Sequence, residues 1–121
     1  KIGVFGLSPE LDGLVVKENY GPLKYLDPIA CAQKCINELQ KKKCDLIICI
    51  SHLGINIEGI SDEEVVAGTR GIDLILGGHS HTFLKKLVYV KDLDGREVGI
   101  DQNGKSGIFV GKMVLDLEKK K

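Results

Sequence analysis

The segment of residues 72–82, with the sequence IDLILGGHSHT, constrains the fold of this chain most. It is a short apolar run that ends in two glycines and in two histidines one residue apart. Such a run, rich in branched aliphatic residues, predicts a buried strand. The two glycines allow a sharp turn and a close approach to a ligand. We therefore expect His79 and His81 just beyond the carboxyl end of a strand, where open α/β sheets bind ligands.

A second apolar run ends in a similar way. Residues 45–50, with the sequence DLIICI, lead directly into Ser51 and His52. Between the two runs, Ser61 and Glu64 have the spacing of a capping box and predict a short helix. A strand–helix–strand connection of this length predicts two parallel strands with a right-handed crossover. All three histidines of the chain would then lie at one edge of the sheet.

The remaining elements are predicted from apolar periodicity and turn residues. Asp27 as N-cap and Pro28 at the first helical position predict a helix that ends at the lysines of residues 41–43. The fold class is therefore α/β, with a parallel β-α-β core followed by antiparallel strands. Further strands are expected at residues 2–7, 84–91 and 108–117, with a weakly alternating segment at 96–101 and a short strand at 14–16 inside a loop.

Composition restricts the classes of partner. The 121 residues are enough for one domain, and 17 basic residues balance 17 acidic ones. This balance argues against nucleic acid or an anionic membrane as partner. No apolar run approaches the roughly 20 residues needed to span a bilayer. Because the first residue is Lys1 and strand-like sequence follows at once, we expect a fragment of a longer protein.

The four cysteines do not form a recognisable motif. Cys31, Cys35, Cys44 and Cys49 lack the C-x2-C spacing of zinc and redox sites. We expect most of them to be small buried apolar residues. A disulfide stays possible, so the cysteine count does not establish the compartment. The spacing disfavours a thiol–disulfide function for Cys31 and Cys35.

The placement of the histidines predicts a metal site. Neutral imidazole is the commonest metal ligand, and a His-x-His pair with a third imidazole from the adjacent strand makes half of a coordination shell. His52, His79 and His81 are therefore the candidate metal ligands. Without a nearby thiolate, the donors suit Zn, Mn, Fe or Ni and do not distinguish among them. The alternative is that each histidine is simply a polar residue at an exposed strand end.

The chain resembles the calcineurin-like metallophosphoesterases, most closely their 5'-nucleotidase branch. The resemblance is carried by SHLG at residues 51–54 and GGHSHT at 77–82, with support from 71–76, from 102–104 and from the glycines 107 and 111. It implies a four-layer αββα sandwich with a two-metal centre at the strand ends. In that centre His52 and His79 would bind one divalent metal ion and His81 the other.

The resemblance covers only the carboxy-terminal half of the family's catalytic domain. The Asp-x-His, bridging Asp and Asn-His motifs of the family belong to its amino-terminal half and do not occur here. The bridging carboxylate and the histidine that protonates the leaving group are therefore missing, as is the nucleotide-binding domain. Residues 1–121 would be a single partial domain that needs its missing half for activity.

The resemblance implies a metal-dependent phosphomonoester hydrolase that acts on nucleotides, in a periplasmic or extracellular location. The alternative is a non-catalytic binding or assembly module with at most one structural metal ion. Among the neighbouring residues, Ser80 and Thr82 either orient the ligands or only form a turn. Asn103 is expected to be a turn residue, and Asp73 is expected to face solvent or to cap the preceding helix.

Overall fold

Five strands form one mixed sheet in the computed structural model, which describes residues 1–119. The strand order is β1-β2-β3-β5-β4, and only β4 runs antiparallel to its neighbour. The parallel β-α-β core and the antiparallel strand that follows it confirm the predicted fold class. The strands are β1 Ile2–Leu7, β2 Leu46–Ser51, β3 Leu74–Leu76, β4 Val88–Lys91 and β5 Glu97–Asp101, and the helices are α1 Lys17–Tyr20, α2 Pro28–Lys41 and α3 Asp62–Ala67.

Both predicted helix starts are confirmed. The Asp27 carboxylate accepts a hydrogen bond of 2.8 Å from the backbone N–H of Ala30 at the start of α2. At the start of α3, Ser61 and Glu64 form both bonds of a capping box. These contacts satisfy N–H groups that have no partner within the helix.

One face of the sheet is covered by helices and the other is open. The core lies between the sheet and helices α2 and α3, where Ile36, Val65 and Ile75 are completely buried. On the opposite face, apolar side chains remain 38–60% exposed: Ile2, Val4, Ile50, Leu76 and Tyr89. The described residues therefore supply one sheet and one helical layer, which is half of the expected four-layer sandwich.

Three of the strand predictions were wrong in extent or in kind. Residues 14–16 form no strand, because the N–H groups of Leu14 and Val15 both donate to the carbonyl of Leu11 and Val16 is the N-cap of α1. The strand expected at 84–91 is limited to Val88–Lys91, and the segment before it bends.

No strand forms at residues 108–117 within the part of the chain that the structure describes. Val110 and Val114 are 93% and 74% exposed, so the alternating pattern has no partner strand or core to pack against. Phe109 anchors the segment by stacking on Phe83 at a centroid distance of 4.2 Å.

All four cysteines are free, and Cys49 lies in the core as expected, whereas Cys31, Cys35 and Cys44 are half-buried. Burial raises the pKa of the Cys49 thiol to about 12. The thiol therefore stays protonated at neutral pH, as an apolar core residue should. Within residues 1–119, no helix combines the length and the apolar character that a membrane crossing requires.

Asp73 is half-buried and does not cap a helix, which corrects the expectation from sequence. Its carboxylate accepts hydrogen bonds from the backbone N–H of Ile47 at 2.8 Å and from the Arg96 guanidinium at 2.7 Å. Asp73 thus connects β2, the start of β3 and the turn before β5.

Asp62 is a second carboxylate with a structural role, at the first position of α3. It is completely buried, and its Oδ1 accepts a hydrogen bond of 2.5 Å from the Ser51 hydroxyl at the end of β2. Its Oδ2 has no hydrogen-bond partner among the described residues. A Cβ at Gly77, the residue after β3, would lie only 2.6 Å from that oxygen, so a larger residue there would displace the Asp62 carboxylate. Burial raises the pKa of Asp62 to about 6, with a smaller raising effect of Glu63 and an opposing effect of the Ser51 hydrogen bond.

We predict that Asp73→Ala lowers the free energy of unfolding by about 1–3 kcal/mol, because the half-buried N–H of Ile47 loses its acceptor. Asp73→Asn keeps an oxygen for that N–H and loses only the exposed ion pair with Arg96, so it should cost less than about 1 kcal/mol. Urea denaturation of both variants measures the difference. Equal losses would contradict the role assigned to the Ile47 hydrogen bond.

We predict that Asp62 makes stability depend on pH between about 4 and 6. Its pKa is higher in the folded state than in the unfolded chain, so its protonated form stabilises the fold at low pH. That contribution is lost as pH rises through the folded pKa of about 6. The loss is on the order of 3 kcal/mol. Unfolding free energies of the wild type and of Asp62→Asn should diverge in this way, and parallel pH profiles would contradict the assignment.

Candidate metal centre

The parallel pairing of β2 and β3 places two histidines side by side. Ile50 pairs with Leu76, so the residues after both strands continue from the same edge of the sheet. His52 follows β2, and its backbone N–H donates to the carbonyl of Leu7 in β1. A Cβ at Gly78 would lie 3.0 Å from the Nδ1 atom of His52. Glycine at this position therefore permits the close approach of the two segments.

The imidazole rings of His79 and His52 contact each other. The two imidazole centroids are 5.2 Å apart, and the ring planes meet at 67°, which is an edge-to-face arrangement. Gly54 has a φ of +99°, and a Cβ there would lie 3.3 Å from Cβ of Ser80 and 3.4 Å from Cδ2 of His79, so glycine lets the segment after β2 pack closely on residues 79–80. The predicted convergence of the two strand ends is thus confirmed for these two imidazoles.

His81 lies two residues further along the same segment, which we call the histidine loop (residues 77–82). Its side chain is exposed, and its φ is +57°. Within residues 1–119, no three His, Cys, Asp or Glu side chains are grouped so that they could hold a metal ion. The ligand roles of His52, His79 and His81 therefore stay predictions.

Ser80 and Thr82, which lie beside the histidines, form hydrogen bonds with segments that follow β2 and β5. The Ser80 hydroxyl accepts from the backbone N–H of Ile55 at 3.1 Å and donates to Gln102 at 3.0 Å. The backbone N–H of Thr82 donates to the same oxygen of Gln102 at 2.7 Å. Asn103 lies beyond β5, where its amide donates to the Asp101 carboxylate at 3.3 Å.

A cleft of about 370 Å³ opens beside His79. Its acidic residues favour a cation over an anion near the imidazole. The acidic side chains are Glu10, Asp12 and Glu58, and the apolar lining includes Leu53, Ile57 and Tyr25.

The imidazole pair fits one side of a metal coordination shell. Each imidazole can offer a nitrogen lone pair without adding charge, and the two rings lie at the same sheet edge. A complete shell needs donors that the described residues do not bring to this place. The chemistry of the pair suits a divalent metal ion whose remaining ligands come from another segment.

Sequence reasoning missed two residues near this centre. Asp62 is one of three acidic residues in the first turn of α3, and its carboxylate lies beside Gly77 of the histidine loop. Gln102 was noted only as part of a matching motif, yet it is 1% exposed and bonds to the loop. No spacing in the sequence distinguishes a buried Gln or Asp from an exposed one, so neither could have been found that way.

Comparison with characterised proteins gives consistent relatives, although no protein-family model matches the chain. The trifunctional nucleotide phosphoesterase protein YfkN of Bacillus subtilis is 31% identical over 99% of this chain and 8% of its own length. A snake venom 5'-nucleotidase of Gloydius brevicauda is 28% identical over 92% of this chain and 20% of its own length. The chain thus spans a fifth or less of each of these two relatives.

Solved structures agree with this grouping. A 5'-nucleotidase precursor from Thermus thermophilus superposes on 68% of the chain, with a TM-score of 0.61 and 33% identity, and the match covers 18% of that protein. The NAD nucleotidase of Haemophilus influenzae superposes on 84% of the chain, with a TM-score of 0.67 and 23% identity. At this identity the match supports the fold alone. With these matches and with two imidazoles meeting at the ends of β2 and β3, the chain is similar to one part of the longer 5'-nucleotidases and nucleotide phosphoesterases.

Proposed function

We propose that this chain is the histidine-bearing part of a metal-dependent phosphomonoester hydrolase of the 5'-nucleotidase type. The observation that carries the proposal is the pair of imidazoles, 5.2 Å apart, at the shared carboxyl edge of two parallel strands. In the proposal His52 and His79 bind one divalent cation and His81 binds a second. The identity of the metals, among Zn, Mn, Fe and Ni, is left open.

The reaction converts a phosphomonoester and water into an alcohol and phosphate. When bound, two divalent cations supply positive charge that acidifies water and neutralises phosphate oxygens. The residues of this chain hold the ligating nitrogens in place. Gly54 and Gly78 let the two strand ends approach, and the hydrogen bonds of Ser80 fix the loop that carries His79. The acidic cleft beside His79 adds negative potential that favours cations.

The chain is proposed to be a single partial catalytic domain. The relatives described above are much longer, and the sheet of this chain leaves one apolar face exposed at Val4, Ile50 and Leu76. An exposed apolar face of this extent indicates a missing packing partner. A second sheet against this face would complete the four-layer sandwich and would bring the remaining metal donors.

Nucleotides are the proposed substrates. The names of two relatives are nucleotide phosphoesterase and 5'-nucleotidase, which supports a nucleotide monophosphate over other phosphate esters. A periplasmic or extracellular location is also proposed. It is supported by a relative from venom and by a solved relative described as a precursor.

The rival function is a non-catalytic module with one structural ion. The two functions differ in what loss of His52 does. Removal of a ligand of a catalytic metal should lower metal affinity and leave the fold stable, whereas loss of a structural ion should lower thermal stability.

We predict that His52→Ala and His79→Ala each weaken zinc binding by this chain by at least tenfold, because each removes one of two neighbouring imidazoles. His81→Ala should weaken the same binding less, since its side chain is exposed and its proposed role concerns the second ion. Competition with a chromophoric chelator measures the affinities, and Gln40→Ala on the exposed side of α2 serves as control. Equal affinities in the wild type, His52→Ala and His79→Ala would contradict the proposed pair.

We predict that the 121-residue chain hydrolyses AMP little faster than zinc or manganese alone. Three imidazoles cannot hold two cations and position a phosphate without further donors. The assay measures phosphate release during metal titration, with the double variant His52→Ala, His79→Ala as the matched control. Robust turnover by the wild-type chain that this control abolishes would show that the partial domain is already a complete site.

A further inference from the structure

Gln102 is a buried polar side chain at the carboxyl end of β5, beside the histidine loop. It is 1% exposed, and its Oε1 accepts hydrogen bonds from the N–H of Thr82 at 2.7 Å and from the Ser80 hydroxyl at 3.0 Å. A backbone N–H can only donate, so the contact with Thr82 requires the amide oxygen, not the nitrogen, on the loop side. The opposite orientation would place the amide N–H groups against the N–H of Thr82, whereas in this one the buried Nε2 has no hydrogen-bond partner among the described residues.

The Ser80 hydroxyl uses its full hydrogen-bonding capacity in this arrangement. It donates to Gln102, accepts from the N–H of Ile55 at 3.1 Å, and contacts the Thr82 hydroxyl at 2.8 Å. The loop after β2, the histidine loop and the end of β5 are thus joined at one oxygen atom. Each of these bonds restricts the geometry of the others, because they share the Ser80 oxygen.

The histidine loop has a backbone that needs this support. His79 and His81 have φ of +75° and +57°, which is the left-handed region that side chains other than glycine avoid. Strained conformations persist where the surroundings over-determine them. Ser80 and Thr82, the residues that follow the two histidines, are the residues that Gln102 holds.

We infer that Gln102 is a positioning residue that sets the backbone from which His79 and His81 project. This inference rests on the proposed function, because it assigns to Gln102 the orientation of metal-binding imidazoles. Among the described residues, Gln102 forms no hydrogen bond with either histidine ring; it acts through Ser80 and Thr82. Residues that orient metal-binding histidines in other proteins typically change metal affinity 10–100-fold when they are removed.

Gln102→Met removes both acceptor contacts at nearly constant side-chain length. In the metal-free chain we expect hydrogen exchange of the Thr82 amide to rise at least tenfold and the nuclear Overhauser effects between the His52 and His79 rings to be lost. Zinc affinity should fall about 10–100-fold. Ser80→Ala is the milder second variant: it keeps the bond between Thr82 and Gln102, and it should weaken the ring contacts and zinc binding by a smaller factor.

Ile36→Val is the matched control, since it loosens the core under α2, near Gly71 and away from the carboxyl end of β3. It should lower thermal stability and leave the ring contacts and zinc affinity unchanged. The inference is overturned if Gln102→Met retains Thr82 protection and if both variants retain the His52–His79 contacts. A wild-type chain that binds no zinc would count against the proposed function, and the exchange and ring-contact measurements would still decide the role of Gln102.

Discussion

Parallel pairing of β2 with β3 is the constraint on which the rest of the structure depends. The register that matches Ile50 with Leu76 makes the two strands end at the same level, so His52 and His79 emerge as neighbours. A shift of one residue would turn the side chains of one strand to the opposite face of the sheet. The Asp73 carboxylate supports this register from the other end of β3, because it holds the N–H of Ile47 in β2.

Close approach at the site depends on the absence of side chains. At Gly54, Gly77 and Gly78 an added Cβ would meet His79, Asp62 or His52 at 3.4 Å or less. At each of these glycines, the missing side chain lets two segments of the chain lie closer together. Hydrogen bonds connect the polar side chains under the loop. Ser51 donates to Asp62, and Gln102 accepts from Ser80 and Thr82. The site is thus a junction of three strand ends whose spacing is set by glycine and whose orientation is set by hydrogen bonds.

Local signals in the sequence were sufficient for the parallel core. The capping box at Ser61 and the N-cap at Asp27 predicted what the structure contains, because each is satisfied by residues within a few positions. The continuous apolar runs at β2 and β3 predicted buried strands, which the structure also contains. The strand predicted at residues 108–117 was wrong because a strand depends on a partner that is distant in sequence. Alternating apolar residues form a strand only beside a partner, and no such partner lies beside this segment in the described part of the chain. Gln102 and Asp62 were missed because burial of a polar side chain depends on contacts between distant segments.

The left-handed backbone at positions 79 and 81 also limits how these positions can change in evolution. Apart from glycine, asparagine, aspartate and histidine are the residues most often found at such backbone angles, while branched aliphatic residues are strongly disfavoured by steric clash. Asparagine and aspartate both carry an oxygen that can bind a divalent cation. Backbone sterics at either position therefore favour substitutions that keep a metal-binding donor atom, independently of any selection for catalysis.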